Sequence, residues 1–295
     1  MVDLLELLSL EDVIWEPGKA RDGWMFHEYF SGMHLYHGGR EDVSVELSGS
    51  GCRTLETCYK NRYGADFDWM GLFRYISEQG KDKDGKDEMN ISRLDVAGDD
   101  KDGILTFEKL TRYTESGHFI SKARRKVLLK LDEEEVIFGA TSSSTRLRIY
   151  NKALERGVDG PWIRCEFQLR DEAADSFILN LLNEGSIGET YGGVLLNYLR
   201  YTTRLPGESC NNYDRIPTVS WWAKFVFTAR KLKNIKVGGL EYNYFNLEGF
   251  IVHQCASSLK TYVMANGGSL DKLLELIWSA KLSSKQEELC YVSLS

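Results

Sequence analysis

Three short segments in the middle of the chain alternate strictly between apolar and polar residues, and this pattern limits the possible folds more than any other feature. The segments cover residues 91–97, 145–150 and 162–170. Because successive side chains of a strand point to opposite faces of a sheet, each segment predicts a strand with one apolar and one polar face. Apolar residues at helical spacing dominate after residue 171. We therefore predict an α+β fold: an antiparallel sheet with flanking helices, followed by a helical C-terminal part.

Other segments carry weaker signals of the same kind. We place an α+β domain at residues 1–205 and a helical region at residues 206–295. The tripeptide Gly49-Ser50-Gly51 favours a tight turn, although its backbone N–H groups could also cradle a phosphate. Local patterns further predict a hairpin about Ser31-Gly32, a strand at 42–48, helices at 66–79 and from Thr106, strands at 127–131 and 135–138, and a surface loop at 80–87.

Composition excludes several classes of protein. The net charge of −7 and the isoelectric point near 5.4 argue against a general nucleic-acid coat protein, because neutralising phosphates takes clustered Lys and Arg. The six cysteines form no close pair, so we expect reduced thiols and no zinc site. The N-terminus lacks the regions of a signal peptide, and the apolar runs are too short to span a membrane. We therefore expect a cytoplasmic protein.

The polar faces of the three predicted strands carry the same kinds of residue. If the strands are neighbours in one sheet, these faces form a single surface with carboxylates for a divalent metal ion and arginines for phosphate groups. The alternative is a half-exposed sheet whose charges are solvated or paired in salt bridges. The residues are Arg93 and Asp95 on the first strand, Arg146, Arg148 and Tyr150 on the second, and Arg164, Glu166, Gln168 and Arg170 on the third.

A tyrosine on such a surface suits phosphodiester chemistry. Its phenolate can attack phosphorus and form a phosphotyrosyl intermediate, which keeps the bond energy for later religation. Because the unperturbed pKa of tyrosine is about 10, the phenol needs help at neutral pH. A neighbouring cation, either a metal ion or an arginine, favours the phenolate and stabilises the charge of the in-line transition state.

Four segments in a fixed order are similar to a known family. They lie at 46–53, 93–100, 146–152 and 164–170 and read ELSGSGCR, RLDVAGDD, RLRIYNK and RCEFQLR. Together they resemble the Rep_trans family, which comprises replication initiators of rolling-circle plasmids and relaxases of integrative conjugative elements. The resemblance covers roughly residues 20–270. Its most specific part is the Tyr-Asn-Lys tract that ends the third segment.

The resemblance implies an enzyme that nicks one DNA strand at an origin, forms a 5′-phosphotyrosyl intermediate and uses a divalent metal ion, Mg²⁺ or Mn²⁺. Carried over by position, Tyr150 is the nucleophile, and Asp95 and Glu166 are metal ligands. Gln168 is the third candidate ligand and stands where many relatives have a second glutamate; its amide oxygen can coordinate a metal but brings no charge. The remaining assignments are Arg148 and Lys152 as catalytic residues, and Arg53, Arg93, Arg146, Arg164 and Arg170 as DNA-binding residues.

Several residues have competing interpretations. Tyr191, Tyr198 and Tyr201 are the main alternatives to Tyr150, but their helical spacing favours packing or DNA contact. Lys152 could serve as a general acid or a phosphate clamp, or could simply be solvated. Asp99 and the aspartate after it could assist a metal site, but their context favours a turn.

Two further groups have mainly structural interpretations. His34 and His37 are spaced so that they fall on opposite faces of a strand, which favours hairpin residues over metal ligands. Basic residues cluster at 122–126 and between 224 and 236, and the second group could bind single-stranded DNA with stacking aromatics. The apolar spacing favours core packing for most of these aromatics, which are Trp221, Trp222, Phe225 and Phe227.

These patterns lead to two functional hypotheses. The first is an α+β enzyme, with its active site on the sheet, that nicks single-stranded or hairpin origin DNA and starts rolling-circle replication or conjugative transfer. Its partners would be DNA, a host helicase and a second copy of the chain. The alternative is a non-catalytic DNA-binding accessory protein on the same scaffold, consistent with Gln168 and the acidic net charge. For the enzyme we expect a basic groove over Tyr150.

Overall fold

The computed structural model describes residues 8, 10, 13–21, 23–79, 89–123, 127–206, 213–231, 251 and 255–282. The chain divides into two compact units, Met1–Asp68 with Lys236–Ser295, and Trp69–Ile235. The predicted boundary at residue 205 falls inside the second unit and stays a prediction. No helix in the described ranges is long and apolar enough to cross a membrane.

The first unit contains a four-stranded antiparallel sheet in the order β1-β2-β3-β4. Its central hairpin turns at Ser31 and Gly32, both with positive φ, which confirms the predicted hairpin. Met33 and Leu35 are buried on one face of the hairpin, and the helix α1 packs against β3 and β4. The elements are β1 (Glu16–Pro17), β2 (Phe26–Phe30), β3 (Met33–His37), β4 (Ser44–Leu47), α1 (Gly49–Tyr63), α8 (Ala256–Ala265) and α9 (Asp271–Ser279).

The prediction of a tight turn at Gly49-Ser50-Gly51 is wrong, because these residues begin α1. Ser48 caps the helix: its hydroxyl accepts a hydrogen bond of 3.1 Å from the N–H of Gly51. A Cβ on Gly51 would lie 2.2 Å from the carbonyl oxygen of Gly32, so glycine serves close approach here rather than a turn. The helix has no clear apolar periodicity, because Leu55 is the one large apolar residue that α1 buries among its described positions.

The second unit is built on a five-stranded antiparallel sheet in the order β5-β10-β9-β8-β7. The three alternating segments form its neighbouring strands β5, β10 and β9, which confirms the α+β prediction and their adjacency. The elements are α2 (Trp69–Gln79), β5 (Arg93–Asp100), α3 (Phe107–Glu115), β6 (Phe119–Ser121), β7 (Val127–Lys130), β8 (Glu135–Phe138), β9 (Thr145–Asn151), α4 (Lys152–Arg156), β10 (Ile163–Arg170), α5 (Glu172–Glu184), α6 (Ile187–Tyr198), β11 (Leu199–Tyr201), a 3₁₀ turn (Tyr213–Arg215) and α7 (Ser220–Lys231).

One face of this sheet forms the core of the second unit. Ile149, Cys165 and Phe167 have no solvent exposure and pack with residues of α5, α6 and α7. The packing requires glycine at position 98, because a Cβ there would lie 2.7 Å from the ring of Tyr191. The covered apolar face holds the sheet rigidly and leaves the opposite face free to carry polar groups.

Some predicted features lie outside the described residues. The loop at 80–87 is one of them, and so is most of the basic cluster at 122–126. The predicted helix from Thr106 is confirmed as α3, and the helical pattern after residue 171 forms α5 and α6; α7 lies in the predicted helical region at 206–295.

Candidate active site

The register of the strands arranges the polar residues of the second sheet in rows. Directly opposed residues of an antiparallel sheet point to the same face, so each row shares one surface. The rows confirm the predicted polar faces and add residues from β8. From β5 towards β8 they are Asp95–Gln168–Arg146, Ala97–Glu166–Arg148–Ile137 and Asp99–Arg164–Tyr150–Glu135.

Tyr150 lies near the end of β9, in the middle of this surface. Its residue is only 5% exposed, and its hydroxyl donates a hydrogen bond of 3.0 Å to Oε2 of Glu166. The guanidinium carbon of Arg148 lies 4.8 Å from the ring centroid, and Nζ of Lys152 lies 5.4 Å from it. Two cations therefore face the ring, while a carboxylate holds the hydroxyl.

The surroundings of Tyr150 keep its phenol protonated. Burial, followed by the charge and hydrogen bond of Glu166, raises the pKa of Tyr150 well above its usual value, although Arg164 acts in the opposite direction. The sequence suggested that neighbouring arginines would favour the phenolate. Their effect is outweighed by burial and by the carboxylate of Glu166, which accepts the hydrogen bond of the hydroxyl.

Two arginines beside Tyr150 are each held by a carboxylate of a neighbouring strand, Arg164 by one on β5 and Arg148 by one on β8. Arg164 donates two bonds of 2.7 Å to Asp99, and these raise the pKa of the guanidinium. Although burial opposes the change, Arg164 lowers the pKa of Asp99. Arg148 donates from Nε to Glu135 at 2.6 Å and from Nη1 to Glu166 at 3.4 Å. The two guanidinium groups are thus fixed before any substrate arrives.

Arg146 differs from both. Its Nη1 donates to the amide oxygen of Gln168 at 3.1 Å, and its Nε is buried with no hydrogen-bond partner among the described residues. No contact to a carboxylate is seen for it within that part of the chain. Arg146 is therefore the arginine of the three rows whose charge is least neutralised.

The candidate metal ligands share the polar face. Asp95 directly opposes Gln168, and Glu166 is the diagonal neighbour of Asp95. The residue opposite Glu166 on β5 is Ala97, which is exposed. Asp95 itself is bound by Arg93 through bonds of 2.8 Å and 2.6 Å. Within the described ranges, no three His, Cys, Asp or Glu residues cluster as a metal site.

The residues of this face lie inside a segment that matches a known family. Residues 89–277, well over half of the chain, match the model of Rep_trans, described as replication initiation factor. The chain belongs to the Rep_trans family. This result confirms the family that the motifs suggested.

Two relatives resemble this Rep_trans protein along most of its length. A Bacillus subtilis (strain 168) protein named "Putative DNA relaxase NicK" is 23% identical over 271 residues, which are 86% of this chain and 72% of the relative. The solved structure of a rolling circle replication initiator protein from Geobacillus stearothermophilus is 26% identical. It matches with a TM-score of 0.63 over 79% of this chain and 88% of that one.

The competing tyrosines of this Rep_trans protein are packing residues, as their spacing indicated. Tyr191 donates to the carbonyl of Cys165 at 2.7 Å beneath the sheet. The hydroxyl of Tyr198 lies 3.2 Å and 3.1 Å from two backbone carbonyls, and that of Tyr201 lies 2.9 Å from the hydroxyl of Thr114. All three are buried on the apolar side, away from the polar rows.

Other predicted residues divide between the two units. Lys152 is buried and pairs with Glu155, so it is not simply solvated. Arg170 opposes Arg93 one row beyond Asp95 and extends the polar face. Arg53 lies on α1, in the first unit, and so belongs to a different part of the chain from the rows.

Two predictions of structural roles are confirmed. His34 and His37 sit on opposite faces of β3, bonded to His27 and Glu28 respectively. Trp222 and Phe225 are buried in the core, and Trp221 packs against it. The remaining aromatic of that group, Phe227, is 59% exposed on α7.

The sequence left the role of one carboxylate of the site open and did not name another. Asp99 and Asp100 were considered for a metal site, but a turn was favoured; the turn belongs to Asp100, whose carboxylate accepts from the N–H groups of Asp102 and Leu105. Glu135 begins a short strand of otherwise apolar residues and gave no polar alternation. Only the register of the strands brings these carboxylates to the site. Asp99 lies opposite Arg164, and Glu135 lies opposite Tyr150.

Proposed function

We propose that this protein nicks one strand of DNA at an origin, with Tyr150 as the nucleophile, and so starts rolling-circle replication or transfer of a mobile element. The observation that carries the proposal is the hydrogen bond of 3.0 Å from the Tyr150 hydroxyl to Glu166, on a polar face with two fixed arginines. Membership of a family of replication initiation factors supports the same function, and so does the similarity to a relaxase and a rolling-circle initiator.

In the proposed reaction, Glu166 accepts the phenol proton as the oxygen of Tyr150 attacks phosphorus. The new O–P bond replaces the bond to the 3′-side oxygen, which leaves as a hydroxyl after taking up a proton. The 5′-phosphate stays attached to the tyrosine. Arg148 and Arg164 stabilise the negative charge of the transition state, because fixed cations need no rearrangement at that moment. Lys152 is the proposed proton donor to the leaving oxygen, since its Nζ lies 5.4 Å from the centroid of the Tyr150 ring.

The residues fit a divalent metal ion. Asp95, Glu166 and Gln168 offer only oxygen donors, which suit Mg²⁺ or Mn²⁺, and Mg²⁺ is commonly held by one or two carboxylates with water and phosphate completing its shell. These three residues lie on neighbouring positions of one face, since Gln168 directly opposes Asp95 and Glu166 is the diagonal neighbour of Asp95. When bound, the ion would neutralise charge on the scissile phosphate. Asp95 would exchange its partner Arg93 for this role.

The test is the reaction with supercoiled DNA that carries the origin, in the presence of Mg²⁺ or Mn²⁺. The wild-type protein should leave a nick with protein attached to the 5′ end. Tyr150→Phe should form neither the nick nor the adduct and should still fold, because only one hydroxyl is lost. Tyr198→Phe is the matched control and should keep both activities. An adduct formed by Tyr150→Phe would refute the assignment of the nucleophile.

One observation favours the second candidate function, a DNA-binding accessory protein without catalysis. The polar face carries Gln168 in place of a carboxylate, and Asp95 is already neutralised by Arg93. The same assay separates the two functions, since the accessory protein would bind origin DNA without cutting it with either metal ion.

A further inference from the structure

We infer that Glu135 is a positioning residue for DNA cleavage, which keeps Arg148 free to contact a phosphate of the bound strand. The inference rests on the proposed function and deepens it. Glu135 was not among the residues that sequence motifs identified, and it acts through Arg148 rather than on the DNA itself.

The placement of Glu135 is unusual for a carboxylate. Its residue is 2% exposed, at the start of β8, directly opposite Tyr150. Burying a carboxylate is costly unless cations and hydrogen bonds compensate for the lost water. Two cations do so: Arg148 donates from Nε at 2.6 Å, and Lys130 approaches with Nζ at 3.3 Å. The other positions of β8 are apolar and buried, so Arg148 and Lys130 are the groups that compensate for the burial of this carboxylate.

Arg148 stands between two carboxylates that hold it unequally. Its bond to Glu135 is short and uses Nε, whereas the approach of Nη1 to Glu166 measures 3.4 Å. The guanidinium also lies over the ring of Tyr150. Because Nε of Arg148 is held by Glu135, the terminal nitrogens of the guanidinium point along the row towards Glu166.

The consequence concerns Glu166. Without the charge of Glu135, the nearest carboxylate to Arg148 is Glu166, the proposed acceptor of the Tyr150 proton. Attraction between opposite charges in a half-buried site would draw the guanidinium onto Glu166. Arg148 would then lose a phosphate contact. Glu135 therefore limits the pair between Arg148 and Glu166 to the long contact of 3.4 Å and keeps the terminal nitrogens available to the DNA.

The experiment measures binding of a fluorescein-labelled oligothymidylate by anisotropy at several salt concentrations, and nicking of origin DNA by the same proteins. Each lost phosphate contact should reduce the salt slope by about 0.7, as expected for single strands. Glu135→Gln and Arg148→Gln should each reduce the slope by about that amount and weaken binding roughly tenfold. The double variant should be no worse than either single variant, because both changes remove one contact.

The controls separate positioning from folding. Glu133→Gln removes an exposed carboxylate that contacts Lys130 but not Arg148, and it should leave the slope unchanged. Glu135→Asp keeps the charge, which the long arginine side chain can still reach, and should restore most of the slope and the nicking rate. Should Glu135→Gln fail to fold, Glu135→Asp alone decides: a reduced slope in a folded Glu135→Asp would contradict the inference.

The possible results separate a failure of the inference from a failure of the proposed nicking function. If Arg148→Gln reduces the slope and Glu135→Gln does not, Glu135 is structural only and the inference fails while the nicking function stands. If the wild-type protein binds the oligonucleotide but cuts no origin DNA, the proposed function fails. A change in slope that is additive in the double variant would also overturn the inference, because the two residues would then act separately.

Discussion

The two larger antiparallel sheets in the described part of this protein each have a polar face, and the two faces are composed differently. In the first unit, the rings of His27 and Tyr36 stack at 4.5 Å, and His27 bonds to His34 at 3.0 Å. In the second unit, the corresponding positions carry arginines, carboxylates and Tyr150. The histidines bond to each other and stack on an aromatic ring, whereas the charged rows pair arginines with carboxylates. The same strand pattern therefore carries a face of stacked rings in one unit and a face of ion pairs around Tyr150 in the other.

The largest expected difference between the two faces comes from removing the proposed base from one and a ring partner from the other. Glu166→Gln keeps the shape and an acceptor oxygen but cannot take the proton, so nicking should fall by about 10²–10⁴. His34→Gln should leave the nicking rate within about twofold. Both rates are measured on supercoiled origin DNA. Equal losses in the two variants would remove the distinction between the faces.

The apolar side of the second sheet should affect stability. Gly98→Ala places a Cβ 2.7 Å from the ring of Tyr191, which is held under the sheet by its bond to Cys165. We expect the free energy of unfolding to fall by about 1–3 kcal/mol, measured by urea denaturation. Gly193→Ala is the control, because its nearest neighbouring atom would lie 3.9 Å away. A larger loss in the control than in Gly98→Ala would contradict the packing described here.

The arginines of the polar face should contribute unequally to DNA binding. Arg146 contacts an amide and keeps its charge, so Arg146→Gln should weaken binding of single-stranded DNA roughly tenfold. Arg93 is exposed and bound to Asp95, so Arg93→Gln should change the affinity by no more than about threefold. Anisotropy titrations at one salt concentration compare the two. The reverse order would show that exposure and pairing with Asp95 do not lower the contribution of Arg93.

The smallest expected effect lies beneath the sheet, at alkaline pH. Burial raises the pKa of Tyr198 to about 12, above the value of about 10 for an unfolded tyrosine. Its contribution to stability is therefore complete below about pH 10 and is lost as the pH rises towards the folded value. Urea denaturation across that interval should show a smaller alkaline loss for Tyr198→Phe than for the wild type. Parallel losses in both proteins would contradict the shift.

The sequence could predict which residues share a face but not which residues touch. Alternation assigned Arg148, Tyr150 and Glu166 to polar faces, and that much depends only on the period of a strand. Contacts depend on register, which the sequence of one strand does not contain. Glu135 was missed for this reason, since it begins an apolar strand, and the pairing of Asp99 with Arg164 could not be predicted.

The helix α1 was missed for a different reason. Its hydrogen-bonding cap, Ser48, resembles a turn residue in sequence, and Gly49 and Gly51 disguise the start of the helix. Glycine in a first turn is tolerated when close packing requires it, as it does against Gly32. The metal site stays a prediction from family resemblance, because its candidate ligands share a face but bind other partners here.

The position of Tyr150 within the sheet has a mechanical consequence. In the proposed intermediate the DNA is covalently attached to this residue, so any tension in the strand as the duplex unwinds pulls on β9. That strand lies inside the sheet and is bonded along its length to β8 on one side and β10 on the other. At the last residue of the strand, Asn151 accepts from the N–H of Leu154 at 3.1 Å and donates to Glu134 at 2.6 Å. The DNA is thus attached to an interior strand, and a pulling force must break the hydrogen bonds to both neighbouring strands before it can remove β9 from the sheet.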